Sequence, residues 1–361
     1  MKRYLVFCFV VAALLNAGPL FAQANPAEQY AKAHATAREI PYESVANFLK
    51  MPTGVYMGEG IGVATNSKGN IFVYHRSGPT KLYEFDRNGT FVREIGKGLY
   101  GFAFAHAVRV DKEDNIWVVD EGTDMIIKFN PQGRVMMLIG RRPESHGLAP
   151  TAPIGVPAMQ APYPQYRFGR PTDIAWDPQG NIFIADGYTH SRLVKYDKFG
   201  KFVKDIGTRG ALPNQFNTPH GLQVDNAGNV YVADRGNRRI QVFSNDLILR
   251  AIYDNVGAPW SVCITPGTNG ARQYLYSSNS NPDNNNSRVM AYTGEIYKME
   301  LDGTVLGKFG KPGKQLGEFQ TVHAIDCRNE NELLVAEITG WRVQKLLLKP
   351  QAVQTTTSSS R

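Results

Sequence analysis

The chain has 361 residues, 42% of them hydrophobic, and a formal net charge of +8. That length and composition can bury a large core, as one big all-β unit or two smaller domains. The basic residues are scattered along the chain rather than gathered in one run, which argues against a nucleic-acid partner. An anionic small substrate, or simple solubility, accounts for the charge.

The first residues set the compartment. Lys2-Arg3 is a charged start, Tyr4 to Leu15 is almost wholly apolar, and Ala22-Gln23-Ala24 is a small-residue cleavage site. Residues 1–24 therefore read as a secretory signal peptide, and the mature protein as periplasmic or secreted. Cys8 lies inside the apolar run, away from the cleavage site, which argues against a lipoprotein. No later segment is apolar and long enough for a membrane span after signal cleavage. Residues 25–53 form a lead-in, with a short helix expected over Pro26–Arg38 and a strand over Ser44–Met51.

Residues 54–350 are repetitive. Similar units begin at Gly60, Phe104, Arg170, Thr218, Ala258 and Thr321. Each reads as four short strands, A to D, joined by turns such as Lys68-Gly69-Asn70 and Gln179-Gly180-Asn181. A period near forty residues with four strands per unit predicts a six-bladed β-propeller, an all-β fold. The sixth unit ends after its third strand, so Ser44–Met51 is expected to close the ring as the outer strand. Residues 351–361 are polar and of low complexity, and are expected to be disordered. Of the three cysteines, Cys263 and Cys327 survive processing and fall on neighbouring units. They are one residue out of register, which would turn their side chains to opposite faces, so the pairing is left open.

Asp120, Asp186, Asp234 and Glu337 end the second strand of their units, and three of them have an arginine five or six residues on: Arg192, Arg239 and Arg342. These read as structural ion pairs. The portion Asp234, Asn237, Arg239 resembles the NHL repeat, and the likeness covers about Gly54 to Pro350.

Aligned on the start of strand A, the six units place Ile61, His106, Thr172, His220, Trp260 and His323 in one register. With 7 histidines in the chain, three of six slots in one chosen register has a chance of roughly one in several thousand, or about one in a hundred or two after allowing for the choice of register. Alternate blades of a six-bladed ring lie about 120° apart, so three imidazoles should converge on the axis, as in a catalytic zinc site. The B–C loops on the same face carry Arg76, Tyr188 and Arg235, with Arg76 and Arg235 at one repeat position. Two arginines beside a cation suggest a substrate carboxylate, and Tyr188 is a candidate general base, held as phenolate by its cationic neighbours. The connection Arg141–Tyr166 and the insert Asn279–Ser287 read as rim elements over that face.

The stretch from Phe168 to Phe243 is similar to peptidyl-α-hydroxyglycine α-amidating lyase, and the likeness extends more weakly through all six units. The resemblance implies zinc on His106, His220 and His323, catalytic Tyr188 in Asp186-Gly187-Tyr188-Thr189-His190-Ser191-Arg192, and active-site arginines Arg76 and Arg235. It implies cleavage of a carbinolamide C–N bond, giving a primary amide and glyoxylate, by a monomer acting on a small-molecule or peptide substrate with a carboxylate. Ala324 follows the third histidine where the family has an aspartate that binds a structural Ca²⁺, so that site is incomplete here. The family's disulfide cysteines are also absent, with Thr189 and Val242 at two of the places. Two other readings compete: a non-enzymatic propeller binding a peptide, glycan or protein, and a Ca²⁺-dependent lactonase-like hydrolase. The latter would need axial Glu, Asn and Asp in place of Ile61, Thr172 and Trp260.

Overall fold

The computed structural model describes residue 31 and residues 33–142, 163–280 and 293–349. The expected signal peptide, most of the Arg141–Tyr166 and Asn279–Ser287 rim segments and the C-terminal tail lie outside the described residues. So does much of the expected helix, although residues 33–36 are helical.

Six four-stranded antiparallel sheets form the blades of a propeller. The inner A strands are Glu59–Thr65, Ala105–Val110, Asp173–Trp176, Pro219–Val224, Pro259–Ile264 and Val322–Asn329. The A–B turn of blade four explains why the repeat carries its Asp-x-x-Gly-Asn signature. Asp225 Oδ1 accepts the N–H groups of Ala227 and Asn229 at 2.9 and 2.7 Å, and Gly228 takes φ 85°, which a side chain would resist.

The core is divided rather than central. Six apolar clusters each pack one blade against the next, for example Phe72 and Tyr74 against Val108 and Val118 between blades one and two. The last seam joins Val63 and Val73 of blade one to Leu334 and Ala336 of blade six. Strands buried on both faces explain the near-continuous apolar runs such as Ile182–Asp186. Each fully buried Val, Ile or Phe contributes about 1.5–3 kcal/mol. Because the seams carry this burial, the axis is free for polar groups.

The ring is closed by an N-terminal strand, Tyr42–Val45, pairing antiparallel with Arg342–Leu348. The closing strand starts two residues before the expected Ser44–Met51 and ends early. Residues 39–50 run as a strap across three blades: Glu39 bridges Lys308 of blade five, and Lys50 bridges Thr90 of blade one. A continuous strand would reach only one of them.

Cys263 and Cys327 are disulfide-bonded, with Cα atoms 6.0 Å apart. The one-residue offset is absorbed by irregular pairing in blade six, where register shifts between Asp326 and Asn329 and strict alternation fails at Cys327. Closing a loop with a sequence separation of 64 removes denatured-chain entropy worth about 4 kcal/mol. Among the described residues, no helix is long and apolar enough to cross a membrane.

Candidate metal centre and active site

Four of the six axial residues, the three histidines among them, occupy β-bulges. Strand pairing skips a residue between Gly60 and Gly62, Ala105 and Ala107, Pro219 and Gly221, and Val322 and Ala324. The skipped residues are Ile61, His106, His220 and His323. A bulge re-aims one side chain out of the pleat, here toward the axis. Small neighbours let the A strands approach: a Cβ on Gly62 would lie 2.6 Å from the Val108 nitrogen.

His106, His220 and His323 are buried, and their ligand nitrogens lie within 4.8 Å of one another. Ring centroids are 4.7, 4.8 and 4.8 Å apart. Each Nδ1 is taken by the carbonyl of the next blade's axial residue: His106 donates to Thr172 at 2.5 Å, His220 to Trp260 at 2.7 Å and His323 to Ile61 at 2.7 Å. A carbonyl only accepts, so each Nδ1 carries the proton and each Nε2 lone pair is left facing the axis. All three pKa values are depressed by burial first. His323 falls to about 3; nearby arginines add to the effect in all three, and neighbouring histidines add to it for His106 and His220. Three neutral, oriented imidazoles with backbone partners behind them fit a zinc ion.

Calcium does not fit. The small cavity beneath the histidines is lined by Gly62, Val108, Arg109, Asp173 and Ala324, among others. Its carboxylate, Asp173, is bound at both oxygens by Arg109, at 2.9 and 2.5 Å. A calcium ion needs six to eight oxygens, and a guanidinium already supplies the cation there.

Tyr188 follows the second strand of blade three. Its hydroxyl lies 3.2 Å from His106 Nε2 and 3.3 Å from His220 Nε2, so it donates to one at a time. Its pKa is pushed up to about 12, by burial first and then by Glu121, against Arg235, Arg76 and Arg170. The expected phenolate is thus not what the protein's own groups favour. Among the protein's own groups, burial outweighs the three guanidiniums.

Arg76 and Arg235 both reach the site but differ in state. Arg76 is held by Glu59 at 2.6 Å, donates to the Ala105 carbonyl at 3.1 Å and stacks on Phe104 at 3.7 Å. Arg235 stacks on Trp260 at 4.0 Å and lies 5.6 Å from the Tyr188 ring. Among the described residues no carboxylate pairs with it, so Arg235 is the better seat for a substrate anion.

Two residues were missed by sequence reasoning. Glu121 is 3% exposed and sits 3.7 Å from Arg76 Nη1 and 3.8 Å from His106 Nε2. It also pairs with Arg170, whose guanidinium lies 4.7 Å over the Tyr188 ring. A signal for Glu121 existed. Gly60 pairs with His75, Ala105 with Asp120 and Pro219 with Asp234, so Arg76, Glu121 and Arg235 each stand one residue further on, at one repeat position. Arg170 gave none, since it lies in the connection ahead of strand A.

The predicted ion pairs are present, and they lie away from the axis. Arg192 binds Asp186 at 2.9 Å, Arg239 binds Asp234 at 2.8 Å and Arg342 binds Glu337 at 2.7 Å.

Fold and site together define an NHL-type six-bladed propeller with a three-histidine centre on its axis. The NHL repeat signature matches residues 216–243. A Rattus norvegicus peptidylglycine alpha-amidating monooxygenase is 31% identical over 54% of this chain and 21% of its own length. A Caenorhabditis elegans protein named as a peptidyl-alpha-hydroxyglycine alpha-amidating lyase is 29% identical over 53% of this chain and 57% of its own length. The chain thus spans about a fifth of the first relative and just over half of the second. Among solved structures, a streptogramin B lyase superposes with a TM-score of 0.53 at 17% identity, covering 86% of this chain and 98% of that one, and shares the fold. The chain is thus similar to NHL-repeat propellers, among them proteins named as peptidyl-alpha-hydroxyglycine alpha-amidating lyases.

Proposed function

We propose that this protein is an exported, zinc-dependent lyase that cleaves the C–N bond of α-hydroxyglycine-type amides, releasing glyoxylate and a primary amide. The observation that carries the reading is the Tyr188 hydroxyl, set between the Nε2 atoms of His106 and His220 with Arg235, which pairs with no carboxylate among the described residues, nearby. A proton carrier, an anion seat and a three-nitrogen ligand set thus meet in one buried place.

His106, His220 and His323 would hold the zinc. When bound, the ion supplies a Lewis acid that lowers the pKa of an adjacent hydroxyl. Arg235 receives the glycine carboxylate, with its guanidinium pre-set by the Trp260 face. Tyr188 moves the proton. In collapse to products the hydroxyl O–H bond breaks, the C–O bond becomes a carbonyl, and the C–N bond electrons leave with nitrogen. Tyr188 gives its phenolic proton to the departing amide nitrogen as its oxygen accepts the hydroxyl proton, so its own charge is unchanged over the cycle.

The test is glyoxylate release from α-hydroxyhippurate by the purified mature protein, together with its metal content. One zinc per chain and steady release are expected, with both lost in His220→Ala. Absence of bound metal, together with a His220→Ala variant that behaves as wild type, would sink the reading. That result would leave a propeller that binds a partner without chemistry.

A further inference from the structure

Glu121 is a buried carboxylate with no part in the chemistry proposed for Tyr188, Arg235 and the histidines. It follows the second strand of blade two (Ile116–Asp120), and its strongest partner is the Arg170 guanidinium. Arg170 in turn touches Tyr188 twice. Its carbonyl accepts the Tyr188 N–H at 3.3 Å, and its guanidinium covers the Tyr188 ring at 4.7 Å.

The backbone of Arg170 is itself held under constraint. It adopts φ 60°, a left-handed conformation unusual for a residue with a side chain. Its N–H donates to Asp124 Oδ1 at 2.7 Å, and Asp124 lies in the same B–C loop as Glu121, at φ 55°. One loop of blade two therefore grips both ends of Arg170, the backbone through Asp124 and the side chain through Glu121. Strain of this kind persists only where surrounding contacts over-determine it.

We propose that Glu121 and Arg170 form a positioning chain that fixes the Tyr188 ring, so that its hydroxyl stays between His106 and His220. The chain crosses from blade two to blade three, which makes the placement of the tyrosine depend on the seam between them. A displacement of about 1 Å at a reacting group can cost on the order of a hundredfold in rate. The proposal rests on the lyase reading only for the reaction that the tyrosine serves.

The experiment places 3-fluorotyrosine at position 188 and compares wild type, Glu121→Gln and Arg170→Met by fluorine NMR, without requiring turnover. Wild type should give one sharp resonance, and both variants a shifted or broadened one. In the natural-tyrosine background each variant should lose roughly ten- to a hundredfold in kcat with KM within about threefold. The double variant should be no worse than the poorer single, because the two residues act in series. Arg170→Lys should recover most of the loss, since an ammonium can still pair with Glu121 and cover the ring. Arg170 is 40% exposed at its side chain, so its variants carry the test if Glu121→Gln does not fold. An unshifted resonance in the variants, multiplicative losses in the double, or zinc lost from Glu121→Gln would each overturn the proposal. The last of these would make Glu121 a metal-site carboxylate instead. If wild type releases no glyoxylate, the lyase reading fails while the fluorine comparison still decides the positioning.

Discussion

Two neighbouring positions at the end of strand B have opposite jobs. The first, occupied by Asp120, Asp186, Asp234 and Glu337, turns toward the connection that leads into its own blade. Asp234 accepts the Asn217 N–H at 2.7 Å, and Arg239 spans from Asp234 to the carbonyls of Ala211, Leu212 and Gln215 at 2.8–2.9 Å. Glu337 and Arg342 repeat the arrangement with Gln320, Lys314 and Glu318. One residue further on, Arg76, Glu121 and Arg235 turn toward the axis. A pleated strand sends successive side chains to opposite sides, so one step along the chain separates scaffold from site.

The largest effect expected from breaking this contrast is on stability. Arg239→Met leaves Asp234 buried without its cation and should cost about 3–5 kcal/mol in urea unfolding, while the folded fraction keeps its turnover. If turnover fell as far as stability, the two positions would not be separable.

A second effect concerns acid. The axial histidines are neutral when folded, with His323 depressed to about 3 and the others well below their usual value. In the unfolded chain they protonate near pH 6.5. Below that pH the unfolded state binds more protons, so stability of the metal-free protein should fall from about pH 6.5 toward pH 3. Each histidine contributes roughly 1.4 kcal/mol per pH unit. His220→Gln should flatten the slope by about that amount. An unchanged slope would mean that the histidines are not held neutral by the fold.

The smallest expected effect on stability comes from the axial arginine. Arg235→Met should change unfolding by less than about 1 kcal/mol, in line with a residue that anchors no buried carboxylate. It should raise KM about tenfold or more for a substrate with a free carboxylate. An amide-capped analogue should lose nothing further. Equal losses on both substrates would move the anion seat away from Arg235.

How far the sequence could be read varies with what each feature depends on. The blade count, the Asp and Glu pairs with Arg, and the convergence of His106, His220 and His323 follow from repeat register, which is linear in the chain. The disulfide was left open because register alone puts Cys263 and Cys327 on opposite faces, and a local irregularity reverses that. The closing strand was misplaced because the segment serves three blades in passing. Glu121 stood in the arginine register but went unread, because its partner Arg170 lies on the next blade's approach.

By itself the sequence determined which residues recur at which step of a forty-residue period, and hence the propeller and the residues on its axis. Only the tertiary structure decided their chemical state. Burial raises the Tyr188 pKa, backbone carbonyls from neighbouring blades set each histidine tautomer, and carboxylates occupy Arg76 while, among the described residues, none pairs with Arg235. Desolvation and cross-blade hydrogen bonds depend on what the folded ring brings within a few ångströms, and no spacing along the chain encodes that.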